Sequence, residues 1–122
     1  MKRDTGNRKK AVKWADKWCS LYIRKRDPLC YCGKPTEQAG HLITRSSYST
    51  RWTELNLAGC CSGCNMKHEY HPEDYTNWFL KKYGISEFDK LVSLGHSVFK
   101  ITTGELWILG DDFKSKYEEL CK

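Results

Sequence analysis

Between residues 9 and 26, apolar side chains return every three or four positions: Val12, Ala15, Trp18, Cys19 and Tyr22 share one face, while Lys9, Lys10, Lys13, Lys17 and Arg24 fall mostly elsewhere. That spacing predicts an amphipathic helix over 9–26, closed by Asp27-Pro28. A turn-rich segment follows through Gly33 and Pro35, and then a hairpin with strands expected near 39–44 and 51–55. The polar stretch 45–50 between them reads as a flexible link. A short helix is expected to start at the Cys61/Cys64 pair and to carry Asn65, Lys67, His68 and Glu69. Three more helices complete the pattern. The first has Pro72 in its first turn, Tyr75, Trp78, Phe79 and Tyr83 along one face, and Gly84 as its stop. The second is short, over 86–94. The third opens with the capping-box pattern Thr102-Thr-Gly-Glu105 and turns Leu106, Leu109, Phe113, Tyr117 and Leu120 inward.

The fold class is therefore α+β, mostly helical, in one domain over 1–122: a basic, flexible arm over 1–8, a basic helix over 9–26, a core over 28–70 and a helical part over 72–120. A domain of 122 residues buries a limited share of its surface, so an internal staple would help it. The hydrophobic fraction of 39%, with 5 Trp, 7 Tyr and 4 Phe, supports a modest core and argues against disorder. No apolar run is long enough for a membrane helix, and the first ten residues do not resemble a signal peptide, so no membrane partner and a cytoplasmic location are expected, the host cytoplasm if the chain is phage-encoded. Net charge is +6, and ten Lys/Arg against Asp4 and Asp16 lie within residues 1–26. This concentration suits a surface that follows phosphates, with a solvated, solubilising helix face as the alternative.

The seven cysteines include two close pairs, Cys30-x-Cys32 and Cys61-x-x-Cys64. An odd number disfavours a closed disulfide framework, and in a reducing compartment paired cysteines more often hold metal. Four thiolates would fill the corners of a structural zinc (Zn2+) tetrahedron, stapling the core. Gly33 permits the turn after Cys32, and Lys34 and Lys67 would favour thiolates by charge. Cys60 competes with Cys61 for the third corner; the two-residue spacing favours Cys61. Cys19 and Cys121 are read as structural or incidental.

Inside this frame lie Ala39-Gly40-His41, Asn56 and Asn65. A His at the end of one hairpin strand, an Asn at the end of the next and an Asn or His in the following helix is the ordered pattern of an HNH, or ββα-metal, nuclease. The chain further resembles the NinG/Rap family of phage recombination endonucleases, through Tyr22-Ile-Arg-Lys-Arg-Asp27, the Cys32-Gly33 knuckle, Ala39-Gly-His41, Arg51-Trp-x-Glu54-x-Asn56 and Cys61-x-x-Cys64-Asn65. The resemblance continues into the C-terminal helices. It implies a structure-specific nuclease acting on branched DNA recombination intermediates such as junctions, flaps or displacement loops, with recombination proteins as further partners. A homodimer would suit symmetric cutting of a four-way junction.

Phosphodiester hydrolysis needs a base for water, a cation near the phosphorane and leaving oxygen, and fixed geometry between them. His41 is the candidate base, because its ordinary pKa of about 6.5 leaves it largely neutral in the cell. From related nucleases, Asn56 takes the role of supporting the loop and orienting that His, and Asn65 that of a ligand to the catalytic cation. Many HNH enzymes place an Asp or His just before the base, where this chain has Gly40. Another ligand must come from elsewhere: His68 is favoured, with Glu69 and His71 as alternatives, and water and phosphate complete a shell suited to Mg2+ or Mn2+. Lys34, Arg45, Arg51 and Lys67 are expected around the scissile phosphate, and Lys13, Lys17 and Arg24 on flanking backbone. Tyr48 and Trp52 are placed to stack on an unpaired base or to pack in the core. His96 has no assigned role.

The runner-up is a non-catalytic zinc module binding branched or single-stranded nucleic acid, for which Gly40 is the best support. A zinc deaminase would need His-x-Glu and a Pro before the cysteine pair, where this chain has His41-Leu-Ile and Gly59-Cys-Cys. A thioredoxin-like enzyme would need alternating strands and helices that the pattern lacks.

Overall fold

Asn7 accepts the Lys10 N–H into its side chain at 3.0 Å and starts α1 (Arg8–Arg26). The computed structural model describes residues 7–122, so most of the expected basic arm lies outside the described residues, and Arg8 is already helical. The buried positions of α1 are Ala11, Ala15, Cys19 and Ile23, with Val12, Trp18 and Tyr22 flanking them half-buried. The face centres on small residues because α6 (Thr103–Leu120) packs directly across it. At Gly110 of α6 an added Cβ would lie 2.2 Å from Trp14 Cδ1, so the two helices meet where neither has room for more. Trp14 also donates from Nε1 to Asp111 at 3.0 Å.

The two strands are shorter and farther apart in sequence than the hydropathy pattern suggests. β1 (Gln38–His41) pairs antiparallel with β2 (Leu57–Cys60), with Gln38 opposite Cys60 and His41 opposite Leu57. Residues expected to be strand at 51–55 instead belong to the connection, which folds into α2 (Tyr48–Arg51) and a 3-10 turn over Glu54–Asn56. The stretch expected to be a flexible link, 45–50, thus runs into α2 with Ser49 and Thr50 buried, and Asn56 is buried at the end of the connection. Its apolar signal, Trp52, points into the α1/α6 core and has no strand partner.

The second half follows the expected helices closely. α3 (Ser62–Tyr70) begins after Cys61, whose sulfur accepts the Cys64 N–H at 3.4 Å. α4 (Glu73–Tyr83) carries two acids in its first turn and stops at Gly84, where φ is +89°. α5 (Ile85–Gly95) leads to α6, and the Thr102/Glu105 capping box is present in both directions. On α6 the buried residues are Leu106, Trp107, Gly110 and Phe113; Leu120 is exposed. Leu109 packs half-buried against this core as expected, and Trp107, whose ring meets that of Trp14 at 5.9 Å, joins it.

The hairpin lies between two cores. One joins α1, α6, Trp52 and Leu57; the other gathers Leu42, Ala58, Cys30, Cys60 and Cys61 against Tyr75, Phe79 and Leu91, with Cys64 half-buried at its edge. Tyr75 and Phe79 are fully buried, which stabilises the fold by roughly 1.5–3 kcal/mol for a side chain of the size of Phe. Among the described residues, no helix is long and apolar enough to cross a membrane.

Candidate functional site

The cysteine frame forms where two tight backbone turns converge. Cys30 N–H donates to Lys34 O at 2.8 Å, Gly33 N–H donates to Cys30 O at 2.9 Å, and Gly33 takes a φ of +92° that a side chain would disfavour. This turn faces the Cys61–Cys64 start of α3, and the four sulfurs of Cys30, Cys32, Cys61 and Cys64 lie within 4.8 Å of one another. A tetrahedral zinc with bonds of about 2.3 Å sets its sulfurs about 3.8 Å apart; Cys32 and Cys61 Sγ are 3.7 Å apart. The donor set therefore fits a structural metal ion such as zinc. Cys60 does not compete: its thiol turns away to Ala58 O, and burial pushes it up to about 12. The Lys34 backbone amide, rather than the lysine charge, holds Cys32 down to about 7. Burial and then the neighbouring thiols push Cys64 up to about 12, a crowding that a divalent cation would relieve.

His41 ends β1 with its ring turned toward the connection. Its Nε2 lies 2.9 Å from Arg51 O, and since a carbonyl only accepts, Nε2 carries the hydrogen and Nδ1 keeps a lone pair. Burial lowers the His41 pKa, opposed by the Arg51 carbonyl, so the ring is held neutral. Asn56 is fully buried and holds the same connection: Oδ1 accepts from Ile43 N–H at 2.8 Å, and Nδ2 donates to Ile43 O at 3.0 Å and Thr50 O at 3.1 Å. Thr50 and Arg51 thus present consecutive carbonyls, one fixed by Asn56 and the next fixing His41.

His41, Asn65, His68 and Glu69 line one open cavity of about 520 Å³. Asn65 Nδ2 donates to Gln38 Oε1 at 2.7 Å, which leaves Oδ1 as its remaining acceptor, 3.0 Å from where a Cβ on Gly40 would stand. The same Cβ would meet Cys60 Sγ of β2 at 2.6 Å, so Gly40 is required by the packing of both Cys60 and Asn65 against β1. His68 donates from Nε2 to Leu42 O at 2.9 Å, its ring rests 4.8 Å from that of Tyr75, and its Nδ1 is buried without a partner. His71 stands outside this cavity, beside Glu73.

Arg45 stands at the edge of this cavity and of two further grooves, which lead past Asp16 and Arg51 to Arg8, Lys9 and Lys13 on α1. A continuous, largely basic track results. Arg51 itself is occupied: its guanidinium pairs with Asp16 and lies 5.3 Å from the rings of both Tyr48 and Trp52. Those two aromatics pack on each other, with Trp52 buried. Lys67 pairs with Asp74 at 2.6 Å, Lys34 is exposed on the cysteine turn, Lys17 lies over Trp18, and Arg24 bonds back to Ser20 O. Sequence reasoning missed Arg8 and Lys9 on the track, Gln38 behind Asn65, and Asp16. The last had a signal: it is the acid placed mid-helix among the lysines and arginines of α1.

Compared with known proteins, residues 1–122 match the family described as Bacteriophage Lambda NinG protein. The chain belongs to that family. NinG membership over the whole chain implies a phage recombination-related role. No curated protein and no solved structure matches the chain.

Proposed function

We propose that this protein is a metal-dependent, structure-specific endonuclease of the HNH, or ββα-metal, type that hydrolyses phosphodiester bonds in branched DNA recombination intermediates. One observation carries the reading. His41 is half-buried, neutral and fixed through Nε2, so its basic Nδ1 is available beside a cavity that also holds Asn65 and His68. A histidine kept only for packing does not need a defined tautomer next to an open polar cleft.

In the reaction, Nδ1 takes a proton from water as the water oxygen attacks phosphorus. The imidazolium that forms keeps its Nε2–H on Arg51 O, which stabilises the charge. The bond to the 3′ oxygen then breaks, and that oxygen takes a proton from solvent. Asn65 Oδ1, Glu69 at the rim and His68, once its ring turns its buried Nδ1 outward, are the donors that would hold Mg2+ or Mn2+, whose chemistry is to offset charge on the phosphate and the leaving oxygen. Arg45 and the α1 cations would bind the flanking backbone without reading bases. NinG membership supports a branched recombination substrate.

The test is cleavage of a labelled panel of branched and linear duplex DNAs with magnesium, manganese or chelator, by wild type and by His41→Ala shown to retain zinc. Metal-dependent cutting of branches that the variant loses, while it still binds them, is the expected result. If neither protein cuts and both bind branches equally, the chain is a non-catalytic zinc module.

A further inference from the structure

The Asp16 carboxylate, on α1, accepts four hydrogen bonds from the connection between β1 and β2. Arg51 donates two, at 3.1 and 2.5 Å, Trp52 Nε1 donates one at 2.9 Å and Arg45 one at 3.1 Å. The Arg51 side chain is only 12% exposed, so this charge-assisted pair is largely shielded from water. Arg51 is also the residue whose carbonyl receives the His41 Nε2–H. Asn56 fixes the preceding carbonyl from within the connection; Asp16 grips the next residue by its side chain from outside it. A helix built only to attract phosphate would have no use for an acid here, because it ties up Arg51 and lowers the local positive potential.

We propose that Asp16 is a positioning residue: by holding Arg51 it fixes the backbone carbonyl that sets the tautomer and direction of His41. Its catalytic consequence rests on the nuclease reading above, whereas its effect on the His41 ring does not. Asp16→Asn keeps the side-chain volume and an acceptor for Trp52 Nε1 but loses the charge pairing. Arg51→Gln cuts the same tether from the other side and leaves α1 untouched.

The experiment compares wild type, Asp16→Asn, Arg51→Gln and the double variant, each checked for zinc content and thermal unfolding. Ring 15N shifts of His41, assigned by their loss in His41→Ala, report the tautomer without any need for activity. The wild type is expected to hold one tautomer with a bare Nδ1, and each single variant to show an averaged pair. On branched DNA, kcat is expected to fall about 10- to 100-fold, as a displaced catalytic group would give. DNA affinity should stay level or tighten for Asp16→Asn, and the double variant should be no slower than the slower single. Unchanged His41 ring signals in Asp16→Asn, additive losses in the double variant, or affinity falling in step with rate would each overturn the proposal. Should the wild type cut nothing, the nuclease reading fails, and the ring shifts still decide the role of Asp16.

Discussion

The side chain of Asn56 pairs with the backbone of Ile43 in both directions, Oδ1 taking its N–H at 2.8 Å and Nδ2 giving to its carbonyl at 3.0 Å. A primary amide here does what the peptide unit of a neighbouring strand would do. The hairpin can therefore end its ladder at His41 and still satisfy the backbone beyond it.

Replacing Asn56 with Ala leaves the Ile43 N–H and the Ile43 and Thr50 carbonyls without this partner in a buried setting. Unfolding free energy from urea titration should drop by about 3 kcal/mol or more, given roughly 1–3 kcal/mol for each buried group left unpaired. An unchanged midpoint would show that water or loop movement restores those bonds.

The depressed pKa of His41 sets a direction with pH. Below the ordinary value of about 6.5 the unfolded chain binds a proton that folded His41 refuses. This contribution to stability is complete above that pH, declines as pH falls toward the lowered folded value, and is constant below it. Urea midpoints across this range should show the slope in wild type and its loss in His41→Ala. Cleavage should persist through the same window and fail only below the folded pKa.

Gly40→Ala places a methyl group 2.6 Å from Cys60 Sγ and 3.0 Å from Asn65 Oδ1. Overpacking of this kind destabilises by about 1–3 kcal/mol, and both the Cys60 thiol of β2 and the Asn65 amide of α3 must shift to relieve it. Calorimetry should show the loss with zinc content retained, and adding Cys60→Ala should restore part of the stability. If Gly40→Ala were fully stable and active, the close approach would have no functional weight.

Elemental analysis should find one zinc per chain, lost in Cys61→Ser and Cys64→Ser and kept in Cys60→Ser. Chelation should lower thermal stability in wild type, because metal binding by a structural site contributes directly to folding.

Salt titrations of DNA binding separate free cations from occupied ones. Lys9→Ala and Lys13→Ala should each reduce the slope of log affinity against log salt by about one. Lys67→Ala, with its ammonium on Asp74, should change it little.

The cysteine pairs, the glycine after Cys32 and the capping box were legible because each depends on local spacing, and local spacing is what a sequence displays. The α1 face was read nearly in register: Ala15 and Cys19 are buried as expected, Ala11 and Ile23 complete the centre, and Val12, Trp18 and Tyr22 only flank it. The strand expected at 51–55 failed for a different reason: Trp52 is apolar for the sake of a long-range core, and alternation cannot reveal which core an aromatic serves. His41, Asn56 and Asn65 were singled out by order along the chain, and the fold brings His41 and Asn65 to one cavity while burying Asn56 in the connection. The Arg51 carbonyl, Gln38 and Asp16 were not singled out, because a backbone acceptor carries no sequence signature and an acid among lysines shows its purpose only when its partners are folded against it.

The contact between Trp14 and Gly110 has a bearing on how related sequences should be compared. Neither residue touches the cavity, yet α6 covers the face of α1 whose opposite side carries Asp16 and the basic track. A relative that keeps every histidine, asparagine and cysteine but has a bulky residue at the position of Gly110 would need a smaller one in place of Trp14. Covariation at that pair, rather than the presence of the motifs, would mark which relatives preserve a working scaffold.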